Sequence, residues 1–271
     1  MNQLTLLNIL IIFEAILLLV LSLIVFSLKK QSSREKNVVK SDTTVLKEDF
    51  LPIIVHEMRS PLSIINGAAD LLVKTTDSLS VEQIHTLLNQ VKVSSTTLLD
   101  MVGSILDISK MESGKFELNK KMSNINSVLD DECSYFEPLA KIKEMSLECT
   151  SNVDIPDFSF DPDRIKQVLN NLISNAIKFS SEKDKVTISA RKEGNKCVVE
   201  VCDIGVGVPE EEKQLLFQKF FQASNQGGRK GTGLGLFISK GIVEAHGGKI
   251  WVEDNEPKGT KMIFQIPINT N

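Results

Sequence analysis

The stretch from Leu4 to Leu28, LTLLNILIIFEAILLLVLSLIVFSL, is mostly apolar and has Glu14 as its only charged residue. A helix needs about 20 apolar residues to cross a bilayer, so this stretch is long enough to do so. The main alternative is a cleaved signal peptide, but such a peptide begins with basic residues and the leading MNQ has none. We therefore expect residues 1–28 to form a single transmembrane helix in contact with membrane lipid.

The charges after this stretch predict its orientation. It is followed closely by five basic residues: Lys29, Lys30, Arg34, Lys36 and Lys40. Because basic residues collect on the cytoplasmic side, we expect a single-pass protein of the cell membrane whose later domains lie in the cytoplasm. Glu14 has two interpretations of about equal weight. It either makes a functional contact within the bilayer or lies close enough to one interface to be tolerated.

Composition excludes several classes of protein. The chain has 31 basic and 35 acidic residues, and a net charge of −4 argues against nucleic acid as a direct partner. The four cysteines form no CxxC pair and have no histidines nearby. Metal sites and a disulfide framework are therefore disfavoured, and a reduced cytosolic setting fits better.

Residues 29–45 are polar, have no apolar period, and are expected to be a cytoplasmic linker. Beyond them, two stretches repeat mostly apolar residues at alternating steps of four and three, which predicts two seamed helices. The first seam contains Leu51, Val55, Met58, Leu62, Ile65, Ala69 and Leu72. The second contains Ile84, Leu88, Val91, Ser95, Leu98, Val102, Ile105 and Ser109. A short polar break joins them, so we expect an antiparallel hairpin that pairs with a second copy as a four-helix bundle.

A histidine stands in the first of these helices, in the segment FLPIIVHEMRSPL. A capped or core histidine is the ordinary interpretation. However, if Val55 lies on the seam, His56 points away from it into solvent. Glu57 can hold one ring nitrogen protonated, which leaves the other with a free lone pair. Pro61 should bend the helix just beyond. This pattern favours an exposed, oriented nucleophile.

The second half of the chain contains an amphipathic helix, DPDRIKQVLNNLISNAIKFS, at 161–180. Its apolar face carries Ile165, Val168, Leu169, Leu172, Ile173 and Ala176. Its polar stripe runs through Arg164, Gln167, Asn171, Asn175 and Lys178. Amide oxygens suit Mg²⁺ and an ammonium group suits phosphate. A solvated helix face explains such a stripe about as well when it is considered alone.

Two glycine-containing segments follow. The strand-like KCVVEVCD ends at Asp203 and turns through Gly205 and Gly207, which suits a carboxylate that accepts from an exocyclic amine such as that of adenine. A plain β-turn is the alternative. Farther on, three glycines precede an apolar helix, where backbone amides can bind phosphate: Gly231, Gly233 and Gly235. The spacing is neither that of a P-loop nor that of a dinucleotide fold.

Taken in order, these segments resemble the sensor histidine kinases of two-component signalling from about residue 46 to 268. The resemblance rests on HEMRSP as the phosphoacceptor box, NLISNAIKFS as the asparagine box, DIGVGVP and GTGLGL as the two glycine boxes, LFQKFF as the phenylalanine box, and a late Gly-Thr. Several boxes in the right order over some 200 residues are far more specific than any one of them.

The resemblance implies a multidomain α and α/β protein. After the transmembrane helix, residues 46–113 would form the dimerisation and histidine phosphoacceptor domain. Residues 114–271 would form the catalytic domain, an ATP-binding α/β sandwich shared with gyrase-type topoisomerases. The implied activity is that of an ATP-dependent protein-histidine kinase whose phosphoryl group passes to an aspartate of a separate response regulator.

The resemblance also assigns roles to single residues. His56 would be phosphorylated, with Glu57 as its activating carboxylate. Asn175 would coordinate Mg²⁺ and Asp203 would bind adenine. The remaining nucleotide contacts would be Asn171, Lys178, Gly205, Gly207, Gly231, Gly233, Gly235 and Thr260, with Arg229 and Lys230 as possible phosphate contacts.

Two residues depart from the family pattern. Val55 stands where the family usually has serine, which we interpret as a change in packing. Ser60 replaces a threonine or asparagine linked to phosphatase activity toward the regulator, which puts that second activity in doubt, although a serine hydroxyl can still orient water. Two alternatives to the kinase stay open: a non-catalytic, ATP-binding dimeric scaffold, and a regulator that acts mainly as a phosphatase. Away from the motifs, His246 precedes a Gly-Gly pair and is expected at a helix C-terminus, where a cation is favoured.

Overall fold

The computed structural model describes residues 43–75, 78–150, 154–224 and 231–269. The expected transmembrane helix and most of the expected linker lie outside these residues. Across the described ranges, no helix combines the length and apolar character that crossing a bilayer requires. The chain divides into two units, Met1–Glu57 and Met58–Asn271, and the sheet domain belongs entirely to the second.

The first described elements are two long helices, α1 (Thr43–Thr75) and α2 (Val81–Glu112). Helix α1 continues past Pro61 without ending. Helix α2 begins with a capping box: the Ser80 side chain accepts from the backbone of Gln83, and the Gln83 side chain accepts from the backbone of Ser80. This reciprocal pair satisfies two N–H groups that the first helical turn leaves unpaired. Two long helices separated by five residues are the element order expected for a helical hairpin.

The predicted seams are only partly buried within one chain. Ile65, Leu98 and Ile105 are buried, whereas Val55 and Leu88 are about half exposed. Other large apolar side chains on the hairpin are also exposed, among them Ile64, Leu71, Val93, Leu99 and Leu106. The hairpin thus leaves uncovered much of the apolar surface that its sequence pattern supplies.

The remaining elements form an α/β sandwich. In chain order they are β1 (Lys121–Ser123), α3 (Ile125–Ile142), β2 (Ser146–Thr150), β3 (Phe158–Phe160), α4 (Pro162–Phe179), β4 (Lys185–Glu193), β5 (Lys196–Asp203), a short 3₁₀ turn (Glu210–Glu212), α5 (Gly235–Ala245), β6 (Lys249–Asp254) and β7 (Thr260–Pro267). Five strands make a mixed sheet in the order β2-β4-β5-β7-β6, in which only the β2–β4 pair is parallel. Strands β1 and β3 form a separate antiparallel pair.

The core lies between this sheet and the three helices of the sandwich. Alternate residues of the strands face it, such as Val186, Ile188 and Ala190 of β4, as expected for strands buried on one face. Helix α4 lies between α3 and α5. Its predicted apolar face is buried along its whole length, because all six residues of that face are at most 4% exposed: Ile165, Val168, Leu169, Leu172, Ile173 and Ala176. The predicted α/β architecture is therefore confirmed.

An ion pair with a buried carboxylate, Asp107, and a partly exposed guanidinium, Arg164, joins the end of α2 to the start of α4. The Arg164 guanidinium donates to both carboxylate oxygens of Asp107, at 2.6 and 3.0 Å, and Gln167 donates to the same carboxylate at 3.2 Å. Arg164 also lies over the Phe116 ring, 5.0 Å from its centroid. Next to the pair, Ile108 of α2 is 1% exposed within the core of the sandwich. The first two residues of the polar stripe of α4, Arg164 and Gln167, therefore bind α2.

Arg164→Ala tests this junction. The Asp107 side chain is 9% exposed, so the variant would leave a carboxylate buried without its cation. We expect a loss of about 3 kcal/mol in the free energy of unfolding, measured by urea denaturation at pH 7. Lys166→Ala is the control, because Lys166 lies on the same helix and pairs with Asp131 in solvent; its loss should be below about 1 kcal/mol. Equal losses in the two variants would contradict the buried pair.

The structure corrects the interpretation of His246 as a favoured cation. The residue follows the last turn of α5, but its ring is buried, and Nε2 accepts from the backbone N–H of Asp161 at 3.0 Å. The other nitrogen, Nδ1, donates to the carbonyl of Ile242 at 2.8 Å. Burial lowers the pKa of His246, against a smaller opposing effect of the Ile242 hydrogen bond. The ring is therefore held neutral, because Nε2 must keep its lone pair.

This burial predicts a loss of stability in acid. The contribution of neutral His246 is fully present above the unfolded pKa of about 6.5 and is lost as the pH falls through the folded pKa. We expect the free energy of unfolding to decrease from pH 7 to pH 5 in the wild type and to decrease less in His246→Gln. His85→Gln, at an exposed position on α2, should keep the wild-type slope. Parallel slopes for all three proteins would refute the assignment.

The structure contains a disulfide, which the sequence analysis had disfavoured. Cys133 of α3 and Cys149 of β2 form a disulfide, with Cα atoms 6.5 Å apart. Spacing rules could not anticipate it, because the two residues meet only when α3 packs against the edge of the sheet. Cys197 and Cys202 are free thiols. Burial raises the pKa of Cys197 to about 12 and also raises the pKa of Cys202, which makes both poor thiolates.

Candidate functional site

A cavity of about 330 Å³ lies between α4, the end of β5 and the loop that leads into α5. Nine of the ten residues predicted to contact the nucleotide line it: Asn171, Asn175, Lys178, Asp203, Gly207, Gly231, Gly233, Gly235 and Thr260. These residues come from four separate segments of the sequence, and the fold brings the four segments together at one cavity. Gly205 lies beside the cavity. Arg229 and Lys230 lie outside the described residues.

Helix α4 supplies the polar wall. With its apolar face buried, the opposite stripe must face outward, and this places Asn175 and Lys178 on the cavity. Asn171 has a further role, because its amide nitrogen donates to the carbonyl of Gly235 at 3.1 Å and to Ser239 Oγ at 3.2 Å. The side chain of Asn171 thereby fixes the first turn of α5 against α4, and with it the glycine loop.

Asp203 lies at the end of β5 and is 5% exposed. One carboxylate oxygen, Oδ1, accepts from the backbone N–H groups of Gly205 at 2.9 Å and Thr260 at 3.1 Å. Burial raises the pKa of Asp203, while these two hydrogen bonds act in the opposite direction. The carboxylate is thus fixed in orientation, poorly solvated and at the cavity wall. Such a group is suited to accept a hydrogen bond from a ligand amine.

Gly205 contributes by its small size. A Cβ at this position would lie 2.6 Å from the carbonyl oxygen of Phe179, at the end of α4. Glycine therefore lets the chain after β5 pass directly against α4. This contact holds the end of β5 close to α4, so Gly205 supports the site without lining it.

The glycine loop before α5 is equally tight. Gly233 has φ +65°, and a Cβ there would lie 2.6 Å from the backbone of Phe220. The Phe220 N–H donates to the Gly233 carbonyl at 2.9 Å. The loop is held in place just ahead of the α5 N-terminus, where unpaired backbone N–H groups attract phosphate oxygens.

The structure adds wall residues that the motif reasoning did not single out. Leu216, Phe221, Gln222 and Ala223 also line the cavity, and Gln222 donates to the carbonyl of Gly231. The LFQKFF segment signalled this wall only as a family motif. An irregular segment without periodicity does not reveal from sequence which of its side chains turn toward a ligand.

The candidate phosphoacceptor lies in the other unit. On α1, the His56 side chain is 71% exposed, and its Nδ1 lies 3.3 Å from Glu57 Oε1. In the tautomer whose Nδ1–H donates to Glu57, Nε2 keeps a free lone pair. Within the part of the chain that the structure describes, no three His, Cys, Asp or Glu side chains cluster as a metal site would require.

Comparison with known families agrees with this geometry. Residues 46–114 match the His Kinase A (phospho-acceptor) domain, and residues 160–270 match the histidine kinase-, DNA gyrase B- and HSP90-like ATPase domain. The chain belongs to the histidine kinase family. His56 falls in the first matched domain and the cavity in the second.

Curated relatives of this histidine kinase are signalling kinases. The chain is 33% identical over 230 residues to the circadian input-output histidine kinase CikA of Synechococcus elongatus, and the match covers 83% of this chain and 30% of the relative. It is 37% identical over 233 residues to the sensor protein GacS of Pseudomonas syringae, covering 82% and 25%. The chain thus spans less than a third of the length of these relatives.

Solved kinases have the same fold. Full-length ShkA in complex with AMPPNP matches with a TM-score of 0.63 at 27% identity, covering 82% of this kinase and 46% of that chain. The histidine kinase AdeS of Acinetobacter baumannii matches with a TM-score of 0.59 at 28% identity, covering 80% and 98%. ThkA, crystallised with the response regulator TrrA, matches with a TM-score of 0.59 at 28% identity, covering 82% and 61%.

Gly233→Ala should disrupt the glycine loop. The added methyl group meets the Phe220 backbone at 2.6 Å and favours a different φ, so the loop must move away from the cavity. We expect at least a tenfold loss of affinity for a fluorescent ATP analogue, measured by equilibrium titration. Gly194→Ala is the control, since Gly194 also has a positive φ but open space around it. Unchanged affinity in Gly233→Ala would show that the loop does not shape the ligand site.

Proposed function

We propose that this chain is a sensor histidine kinase that autophosphorylates His56 from ATP and passes the phosphoryl group to an aspartate of a separate response regulator. The observation that carries the proposal is the convergence of four motif segments on one cavity. The ShkA–AMPPNP and ThkA–TrrA complexes support a nucleotide and a response regulator as ligands of related kinases.

The cavity residues suit adenosine triphosphate. The fixed Asp203 carboxylate is oriented to accept from the exocyclic amine of adenine, while Thr260 helps to hold that carboxylate in place. The glycine loop at the α5 N-terminus would hold the phosphates, and the Lys178 ammonium group would offset their charge. Each part of the nucleotide therefore meets a group of complementary chemistry.

Mg²⁺ fits this arrangement as a companion of the triphosphate. Asn175 offers one amide oxygen at the cavity wall, and Mg²⁺ commonly takes its other ligands from phosphates and water. When bound, the ion would withdraw charge from the phosphate oxygens. Asn175 would fix the side of the triphosphate on which this occurs.

The chemical step is an in-line transfer. Nε2 of His56 attacks the γ-phosphorus, an N–P bond forms, and the P–O bond to ADP breaks, so ADP leaves with the bridging oxygen. Glu57 stabilises the proton on Nδ1 while positive charge develops on the ring. The aspartate of the regulator then attacks the same phosphorus, and neutral His56 is regenerated.

Assembly and location complete the proposal. The exposed apolar side chains of the hairpin, such as Leu71, Leu88 and Leu99, support pairing with a second copy as a homodimer. The apolar stretch from Leu4 to Leu28 supports anchoring by a single span in the cell membrane with the catalytic domains in the cytoplasm. We propose that this span, or a membrane partner that contacts it, receives the stimulus.

Phosphorylation with γ-labelled ATP and Mg²⁺ tests the activity. We expect a labelled protein that is stable in base and labile in acid, because a phosphoramidate has these properties. His56→Gln should lose the label completely. His85→Gln, which removes another exposed histidine, should retain it. Persistent label in His56→Gln would refute the kinase assignment, and nucleotide binding without any label would favour the scaffold.

A further inference from the structure

We propose that Cys133 and Cys149 form a reversible redox site that interconverts dithiol and disulfide by exchange with a low-molecular-weight disulfide. The two Cα atoms are 6.5 Å apart, within the range that a disulfide bridges without moving the backbone. The bond joins the middle of α3 to β2, so it links the helical layer to the sheet. This proposal does not depend on the kinase activity.

The position of β2 gives the bond a structural effect. Strand β2 is an edge strand that pairs only with β4, and four of its five residues are exposed. Leu147 alone packs against the core. A strand with so few buried contacts is anchored weakly, and edge strands open more readily than central ones. The Cys133–Cys149 bond supplies a covalent anchor that the reduced protein lacks.

The pair differs from the other two cysteines in its geometry. Cys149 is exposed, Cys133 is half-buried, and the two are close enough to be bonded. Cys197 and Cys202 are free thiols; Cys197 is fully buried, and Cys202 is half-buried with a pKa that burial raises. The sheet domain therefore contains one bonded pair and two free thiols, and the two free thiols serve as internal references.

The exchange is balanced without a further oxidant. The Cys149 thiolate attacks the small disulfide, a mixed disulfide forms, and one thiolate leaves. The Cys133 thiol then loses its proton and attacks the Cys149 sulfur, which releases the second small thiolate. Two protein thiols are oxidised by two electrons, and one small disulfide is reduced to two thiols.

The test equilibrates the full chain, in detergent, with mixtures of reduced and oxidised glutathione. Free thiols are alkylated after denaturation and located by peptide mass spectrometry. We expect Cys133 and Cys149 to become protected together as the mixture becomes oxidising, while Cys197 and Cys202 remain alkylated. We also expect the melting temperature of the sheet domain to rise by about 5–10 °C, because the bond closes a loop of some 16 residues.

Matched variants make the outcome decisive. Cys149→Ser should abolish both the protection of Cys133 and the rise in melting temperature, whereas Cys202→Ser should preserve both. Two outcomes would overturn the proposal: Cys133 and Cys149 staying alkylated in the most oxidising mixture, or a melting temperature that is the same in both redox states.

A second, independent contact leads to a different inference. We infer that the end of α2 braces the wall of the nucleotide cavity that Leu216–Ala223 provides. Lys219, in this segment, pairs with Glu112 in the last turn of α2 and lies 5.0 Å from the centroid of the Phe237 ring in α5. This inference rests on the proposed nucleotide site.

The brace acts by preorganisation. Phe221 and Gln222 line the cavity only two and three residues beyond Lys219, in a segment of turns that belongs to no helix or strand. Holding Lys219 on Glu112 and Phe237 reduces the freedom that nucleotide binding would otherwise remove. By linkage, nucleotide bound in the cavity must tighten the contact between Glu112 and Lys219 to the same extent.

Titration of the full chain with a fluorescent, non-hydrolysable ATP analogue tests the brace. We expect Glu112→Gln to weaken binding about threefold, the range of a part-exposed ion pair, and the Glu112→Lys/Lys219→Glu double variant to recover most of it. Glu244→Gln, which breaks the exposed Lys240–Glu244 pair on α5, should bind as the wild type does. If the wild type binds no analogue, the nucleotide site is wrong; if the wild type and Glu112→Gln bind equally, the brace is wrong.

Discussion

The site depends on the burial of one face of α4. This helix lies between α3 and α5 and against the sheet, and its apolar residues are almost completely excluded from solvent. Burying apolar surface contributes about 25 cal/mol for each Å². Summed over the six buried side chains of this face, the total exceeds the contribution of any single polar contact of the helix. Rotation about the helix axis is thereby prevented. The polar stripe on the other side is fixed as a consequence, and the cavity is built around it.

Much of this could be predicted because it is local. The periodicity of α4 gave its buried face, and the glycines beside Asp203 and before α5 marked turns that other residues would distort. The hairpin helices were also predictable from their repeats. The burial of each seam residue was not, because Val55 and Leu88 stay half exposed within one chain. A repeat shows which face is apolar but does not show what covers it.

The contacts that sequence could not supply join elements far apart in the chain. Asp107 and Arg164 are 57 residues apart, and His246 meets the N–H of Asp161 across 85 residues. In both cases a polar side chain is buried because a partner reaches it. A pattern of hydrophobicity gives no indication of which polar residues will find such partners. The Cys133–Cys149 pair escaped prediction for the same reason.

Asp203 shows how the fold balances stability against binding. Burial raises the pKa of Asp203 and thus makes its ionised form less favourable. The N–H groups of Gly205 and Thr260 offset only part of this penalty. A hydrogen bond from a ligand amine would reduce the penalty further. This reduction would add to the free energy of ligand binding. Solvating the carboxylate fully would stabilise the empty domain but would remove this difference between the free and bound states.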